Sequence, residues 1–290
     1  LCKNSESMGN PMTDITVSGN GTTIPVSYAG RGPALLLLHG WTLNRRMWAP
    51  QLAELAKDFM VIAIDRRGFG DHDAAPDLAA DLADIDRVLD HFDLPQASLI
   101  GMSQGGRLAL SYAAQSPKRL KSMILHGAPL EGFLPLAKGD EQIPLDDYRR
   151  WARAGRMDDV RTAWRAHRLM QVPHDQPEVQ AQVDSILAGY RGLDLLHDPA
   201  PAPAPAPAPQ WQGKMGKAQP PLSMAARLTQ IDVPTLALVG AEDTRWLDLV
   251  ASALAYGLPF GQKAVVAGGG HLVNLTHPDA YHAAIRGFLA

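Results

Sequence analysis

The chain has 290 residues, 46% of them hydrophobic and 20% charged, and a formal net charge of −3. That length suffices for one large core, or for a core interrupted by an insertion, and the composition is that of an ordinary globular protein. The charge balance and the lack of a basic cluster argue against nucleic acid as a partner, apolar runs such as ALLLLHGW at 34–41 are too short for a membrane span, and a single cysteine, Cys2, permits no internal disulfide.

Residues 1–12 read as a disordered or vector-derived extension, with Met8 and Met12 both suited as starts. LCKNSES lacks the long apolar stretch of an intact signal peptide. TDITVSG (13–19) and TTIPVSYAG (22–30) predict a hairpin turning at GNG, residues 19–21. PALLLLHG (33–40) predicts a buried strand, residues 46–57 a helix, and MVIAIDRRGFG (60–70) a strand ending in a glycine-rich turn. From Asp77 to Phe92 the apolar residues Leu78, Leu82, Ile85, Leu89 and Phe92 share one helical face. ASLIGMS (97–103) predicts a strand, Arg107 to Gln115 a helix, and LKSMILHGA (120–128) another strand.

After Ala128 the alternation stops. Residues 129–231 offer helical pieces at Leu145–Ala154 and Met157–Met170, and the run PAPAPAPAPAP at 199–209. Proline removes every second N–H there, so the run is expected to be an extended, polyproline-like linker or disordered. The rhythm returns with VPTLALVG (233–240), a helix over Arg245–Tyr256, QKAVVAG (262–268), and a closing helix over Pro278–Leu289 with proline at its start. The expected class is α/β: a mostly parallel sheet flanked by helices, built from residues 13–128 and 232–290. Residues 129–231 are expected to form a helical lid, inserted where open α/β sheets bind ligands.

The chemistry centres on GMSQGG at 101–106, where Ser103 lies between a strand and a helix. A serine hydroxyl becomes a nucleophile when a base lies within hydrogen-bond reach and a carboxylate orients that base. His271, after a strand and three glycines in VVAGGGH, is the candidate base. Asp243, just after PTLALVG, is the candidate carboxylate, with Glu242 as its competitor. His277 is read as a capping or surface residue. Asp71, His72 and Asp73 are read as a solvated loop rather than a metal site, since no second ligand cluster has the needed spacing. Tyr148, Trp151, Trp164 and Trp211 are expected to pack the insertion onto the core, some of them lining a pocket.

The order Ser103, Asp243, His271 and the motifs HGW (39–41), DRRGFG (65–70), GMSQGG (101–106) and GAED followed by GGGH (240–243 and 268–271) resemble the α/β-hydrolase fold superfamily, in its lidded serine esterase and enol-lactonase-like branch. The resemblance covers residues 22–128 and 232–290. It implies a cofactor-independent hydrolase that cleaves a carboxylic ester, lactone or thioester through an acyl-enzyme on Ser103, with His271 as base and Asp243 orienting it. It also implies an oxyanion hole made by the backbone N–H groups of Trp41 and Gln104, with His39 holding its turn by hydrogen bonding. No metal or other cofactor is expected. The expected partner is a small-molecule substrate, a homodimer is left open, and a cytoplasmic location is expected.

Alternatives stay open on the same triad: a meta-cleavage-type C–C hydrolase, a cofactor-free haloperoxidase side activity, or a non-catalytic binding protein of the same fold. Haloalkane dehalogenases and epoxide hydrolases need a carboxylate where this chain has Ser103. Proline iminopeptidase-like enzymes usually carry tryptophan in place of Gln104.

Overall fold

A computed structural model describes residues 12–19, 21–134, 136–197 and 222–290. Eight strands form one sheet in the order β1-β2-β4-β3-β5-β6-β7-β8. They are β1 (Thr13–Gly19), β2 (Thr22–Ala29), β3 (Ala34–Leu38), β4 (Met60–Ile64), β5 (Ala97–Met102), β6 (Leu120–His126), β7 (Thr235–Gly240) and β8 (Gly261–Val266). β1, β2 and β4 pair antiparallel, and all pairings from β4 to β8 are parallel. Every residue of β3, β5 and β7 is buried, which is why these segments read as continuous apolar runs. β1 and β8 at the two edges alternate or stay half-exposed.

β3 pairs with β4 on one side and β5 on the other. The chain order therefore reverses direction across the sheet at β3, and the carboxyl ends beside that switch point form the usual ligand crevice. Ser103 follows β5, Asp243 follows β7 and His271 follows β8.

The helices are α1 (Ala49–Leu55), α2 (Leu78–His91), α3 (Gln104–Gln115), α4 (Leu145–Arg153), α5 (Met157–Ala166), α6 (Pro177–Ala188), α7 (Leu193–Leu196), α8 (Met224–Arg227), α9 (Arg245–Gly257), α10 (Val273–Thr276) and α11 (Pro278–Leu289). α4 to α8 lie between β6 and β7, and the described residues there contain no strand. The helix expected over 46–57 is split: Arg45–Trp48 form a 3-10 turn capped by Asn44, and α1 comes next with proline in its first turn. The helix expected over Met157–Met170 stops at Ala166, because His167 is extended and its Nδ1 accepts from the Leu169 amide of a short 3-10 turn. α6 has no counterpart among the expected elements, since it buries only Val183, Ile186 and Leu187 and so carries a weak periodic signal. The Pro-Ala run, Trp211 and Asn20 of the hairpin turn lie outside the described residues.

Glycine matters most where α3 approaches β5. A Cβ on Gly101 would lie 2.4 Å from the Gly105 carbonyl oxygen, whereas one on Gly287, in α11, would meet nothing within 4 Å. Gly101→Ala should therefore cost roughly 3 kcal/mol of stability through overpacking against backbone. Gly287→Ala should add about 0.5–1 kcal/mol through helix propensity and a less free unfolded chain. Urea unfolding of both variants checks the pair, and equal midpoints would refute the packing argument.

Candidate active site

Ser103 occupies the sharp turn between β5 and α3 with φ +51° and ψ −117°. A non-glycine residue there is strained, at a cost of about 1–3 kcal/mol, and persists only when its surroundings dictate it. They do so from both ends. The Ser103 N–H donates to the His126 carbonyl at 2.7 Å, and the Ser103 carbonyl accepts from the N–H groups of Gly106 and Arg107 at 2.9 and 3.1 Å. A Cβ on Gly105 would lie 2.2 Å from the Leu38 carbonyl oxygen, so the helix start presses directly on the end of β3. Ser103 holds the N-cap position of α3, yet its side chain makes no capping bond. The free N–H groups and dipole of that helix end favour negative charge beside it.

The Asp243 turn and the glycine loop before His271 pack backbone to backbone. A Cβ on Gly240 would meet the Gly269 carbonyl oxygen at 2.1 Å, and the Glu242 N–H donates to that carbonyl at 2.8 Å. This contact sets the side chains. His271 Nδ1 lies 2.9 Å from Asp243 Oδ2, with the two side chains 4% and 1% exposed. Asp243 Oδ1 accepts from the Thr244 N–H at 2.7 Å. A carboxylate only accepts, so His271 carries its proton on Nδ1 and keeps the Nε2 lone pair. Glu242 is exposed, and Asp243 is the carboxylate that bonds to His271.

Ser103 and His271 flank the same two residues at the end of β6. His126 receives the Ser103 N–H, and a Cβ on Gly127 would sit 2.8 Å from His271 Cε1. Among the described residues no hydrogen bond joins the Ser103 hydroxyl to His271, a spacing common before substrate binds.

The turn after β3 lies against the nucleophile: a Cβ on Gly40 would be 3.5 Å from Ser103 Cβ. His39 holds this turn by hydrogen bonds, its Nδ1 2.8 Å from the Gly40 carbonyl and its Nε2 accepting from the Arg66 N–H at 3.0 Å. Burial, followed by the nearby Arg66 charge, keeps the His39 pKa well below the usual histidine range. Among the described residues neither the Trp41 nor the Gln104 amide donates to a backbone carbonyl.

Arg66 is a residue that the sequence did not single out. It is buried, its Nη2 donates to Gln104 Oε1 at 2.6 Å and to the Gly40 carbonyl at 3.4 Å, and its guanidinium sits 4.8 Å from the centre of the Phe69 ring. Burial lowers its pKa to about 10, so the group stays charged at neutral pH. One cation thus touches both segments that carry the Trp41 and Gln104 amides.

The reading of Asp71, His72 and Asp73 as a solvated loop holds for Asp71 and Asp73, which are exposed, and is corrected at His72. His72 is fully buried, its Nε2 3.6 Å from Asp84. Asp71 pairs with Arg45 and Arg46, and Asp73 with Arg191 of the helical insertion. The segment is pinned on three sides by charge. His277 does sit at the N-cap of α11, but its Nδ1 bonds to Thr276 Oγ1 at 3.0 Å instead of capping. Tyr148 and Trp164 are buried against Trp41, and Trp151 packs on Tyr148.

The family described as alpha/beta hydrolase fold matches residues 33–278, and the chain belongs to that family. A pimeloyl-[acyl-carrier protein] methyl ester esterase of Vibrio campbellii is 28% identical over 277 residues, which cover 90% of this chain and 96% of the relative. The enzyme of that name from Chromobacterium violaceum is 39% identical over 100 residues; the match spans 34% of this chain and only 39% of that relative's length. In three dimensions the enol-lactonase from Burkholderia xenovorans superposes with a TM-score of 0.72 at 21% identity, covering 95% of this chain and 99% of its own, a likeness of fold.

His126 supplies a test of the buried surroundings. Both its ring nitrogens lack hydrogen-bond partners among the described residues, and its ring lies 5.2 Å from Tyr281 and 6.2 Å from His271. Burial, then the neighbouring His271, lowers its pKa from 6.5 to about 3. The unfolded chain binds this proton below pH 6.5 and the folded chain refuses it, so the associated stability is present above 6.5 and lost as pH falls towards 3. His126→Phe should flatten the fall in unfolding free energy between about pH 6.5 and 4 by up to about 1.4 kcal/mol per pH unit. Urea titrations at several pH values read this directly, and an unchanged slope would contradict it.

Proposed function

We propose that this hydrolase works as a cofactor-independent serine enzyme, cleaving a carboxylic ester, lactone or thioester through an acyl-enzyme on Ser103. The observation that carries the reading is the buried His271–Asp243 bond facing the same strand end as the strained Ser103 turn. With its Nδ1 proton held by Asp243, His271 offers Nε2 to take the Ser103 proton as the hydroxyl attacks the carbonyl. Asp243 then stabilises the imidazolium. The negative oxygen is received by the Trp41 and Gln104 amides, each such donor contributing roughly 3–4 kcal/mol to the transition state. The Arg66 charge beside both segments favours the same anion. His271 returns the proton to the leaving group, then activates the water that releases the acyl group.

The helical insertion serves as the lid in this reading. Its Tyr148 and Trp164 rings face Trp41, supporting an apolar lining next to the nucleophile. The names of the relatives, a methyl ester esterase and an enol-lactonase, support carboxylic esters and lactones as the substrate class.

A p-nitrophenyl ester chain-length series tests the reading beside Ser103→Ala and Asp243→Asn. Short esters should turn over, and both substitutions should lower kcat by roughly 10³–10⁴ or more with folding intact. Activity retained in Ser103→Ala would overturn the reading.

A further inference from the structure

Thr42 is strained as Ser103 is. It is β-branched yet sits at φ +64°, a region that such residues avoid unless held there. Two groups from the helical insertion reach across to this turn. Trp164 Nε1–H donates to Thr42 Oγ1 at 2.7 Å, and the same hydroxyl donates to the Trp41 carbonyl at 2.6 Å. Asp194 Oδ2 accepts from Trp41 Nε1–H at 2.6 Å, while its Oδ1 accepts from the Tyr190 hydroxyl at 2.6 Å. Thr42 and Trp164 are 2% and 3% exposed, so water is poorly placed to take over these bonds.

The turn is thus held at both ends. The core fixes the Gly40 carbonyl through His39, which in a trans peptide sends the Trp41 N–H the opposite way. The insertion fixes the Trp41 indole and the Thr42 hydroxyl, and that hydroxyl in turn holds the Trp41 carbonyl. We propose that Trp164 and Asp194 are positioning residues, lid-borne groups that hold Trp41 and Thr42 so that the Trp41 amide meets the oxyanion. The oxyanion hole is then complete only while the insertion is seated on the core. Lifting the insertion to admit substrate breaks both bonds and frees the strained turn; reseating it rebuilds the hole around the bound substrate. Access and catalytic competence are coupled in one closure step. The inference rests on the serine-hydrolase reading and adds the coupling to it.

The test uses Trp41→Phe, Asp194→Leu, Trp164→Phe and the double variant Trp41→Phe/Asp194→Leu, all in the full chain. Each tryptophan substitution removes one N–H, and leucine removes both acceptor oxygens at a similar branched shape. Trp41→Phe and Asp194→Leu break the same bond from opposite sides, so one folded variant of the two is enough. On p-nitrophenyl acetate, kcat should fall about 10–100-fold in each single variant, short of the loss of a whole oxyanion donor, with KM within about threefold. Affinity for a phenylboronic acid, whose tetrahedral adduct fills the same hole, should fall by a similar factor. The double variant should lose no more than the worse single, because one bond cannot be lost twice. Unchanged kcat, a rise in KM alone, or multiplying losses in the double variant would overturn the inference. Ser103→Ala in the same assay separates the two ideas. If it is inactive while the positioning variants are unimpaired, only the coupling is wrong; if it is active, the serine-hydrolase reading fails and the coupling falls with it.

Discussion

The structure turns on one strained residue. Ser103 sits in a conformation that a free chain avoids, and the surrounding backbone leaves it no alternative. Gly101 and Gly105 let α3 press on β5 and β3 with no intervening side chain. The Ser103 N–H is tied to the end of β6, and its carbonyl starts the helix. That turn lies at the end of β5, beside the crevice where the sheet order reverses. The other site groups are placed relative to that point.

Around it the electrostatics are sorted by burial. His271 has a carboxylate on Nδ1 and keeps Nε2 free of any hydrogen bond among the described residues. His39 and His126 are fully buried, and their lowered pKa values make both weak bases. Arg66 supplies positive charge against the turn that carries Trp41 and the side chain of Gln104. In the proposed mechanism His271 is the histidine set up to accept a proton, and the Trp41 and Gln104 amides are the donors for the negative charge that develops.

Much of this arrangement is legible in the sequence. Ser103 and Asp243 each follow a buried apolar strand, His271 follows the half-exposed edge strand β8, and the glycines around Ser103 mark the tight approach of helix and sheet. Element order and most helix bounds emerge from periodicity, as with α2 and α11. The hidden parts depend on long-range contacts. Nothing local separates Arg66 from Arg67, yet Arg67 pairs with Asp84 while Arg66 turns to Gln104. Asp194 lies 153 residues from the Trp41 that it holds. His72 reads as a solvated loop residue because its burial comes from α2 and its charged neighbours, which no short window contains. α6 carries too few buried positions for its period to stand out.

The measurement closest to the central claim is the mass of the intact protein after reaction with a fluorophosphonate, combined with peptide mapping. One adduct per chain is expected, located on Ser103 and formed far more slowly when His271 is replaced by alanine. An adduct on another residue, or labelling at an unchanged rate without His271, would contradict it.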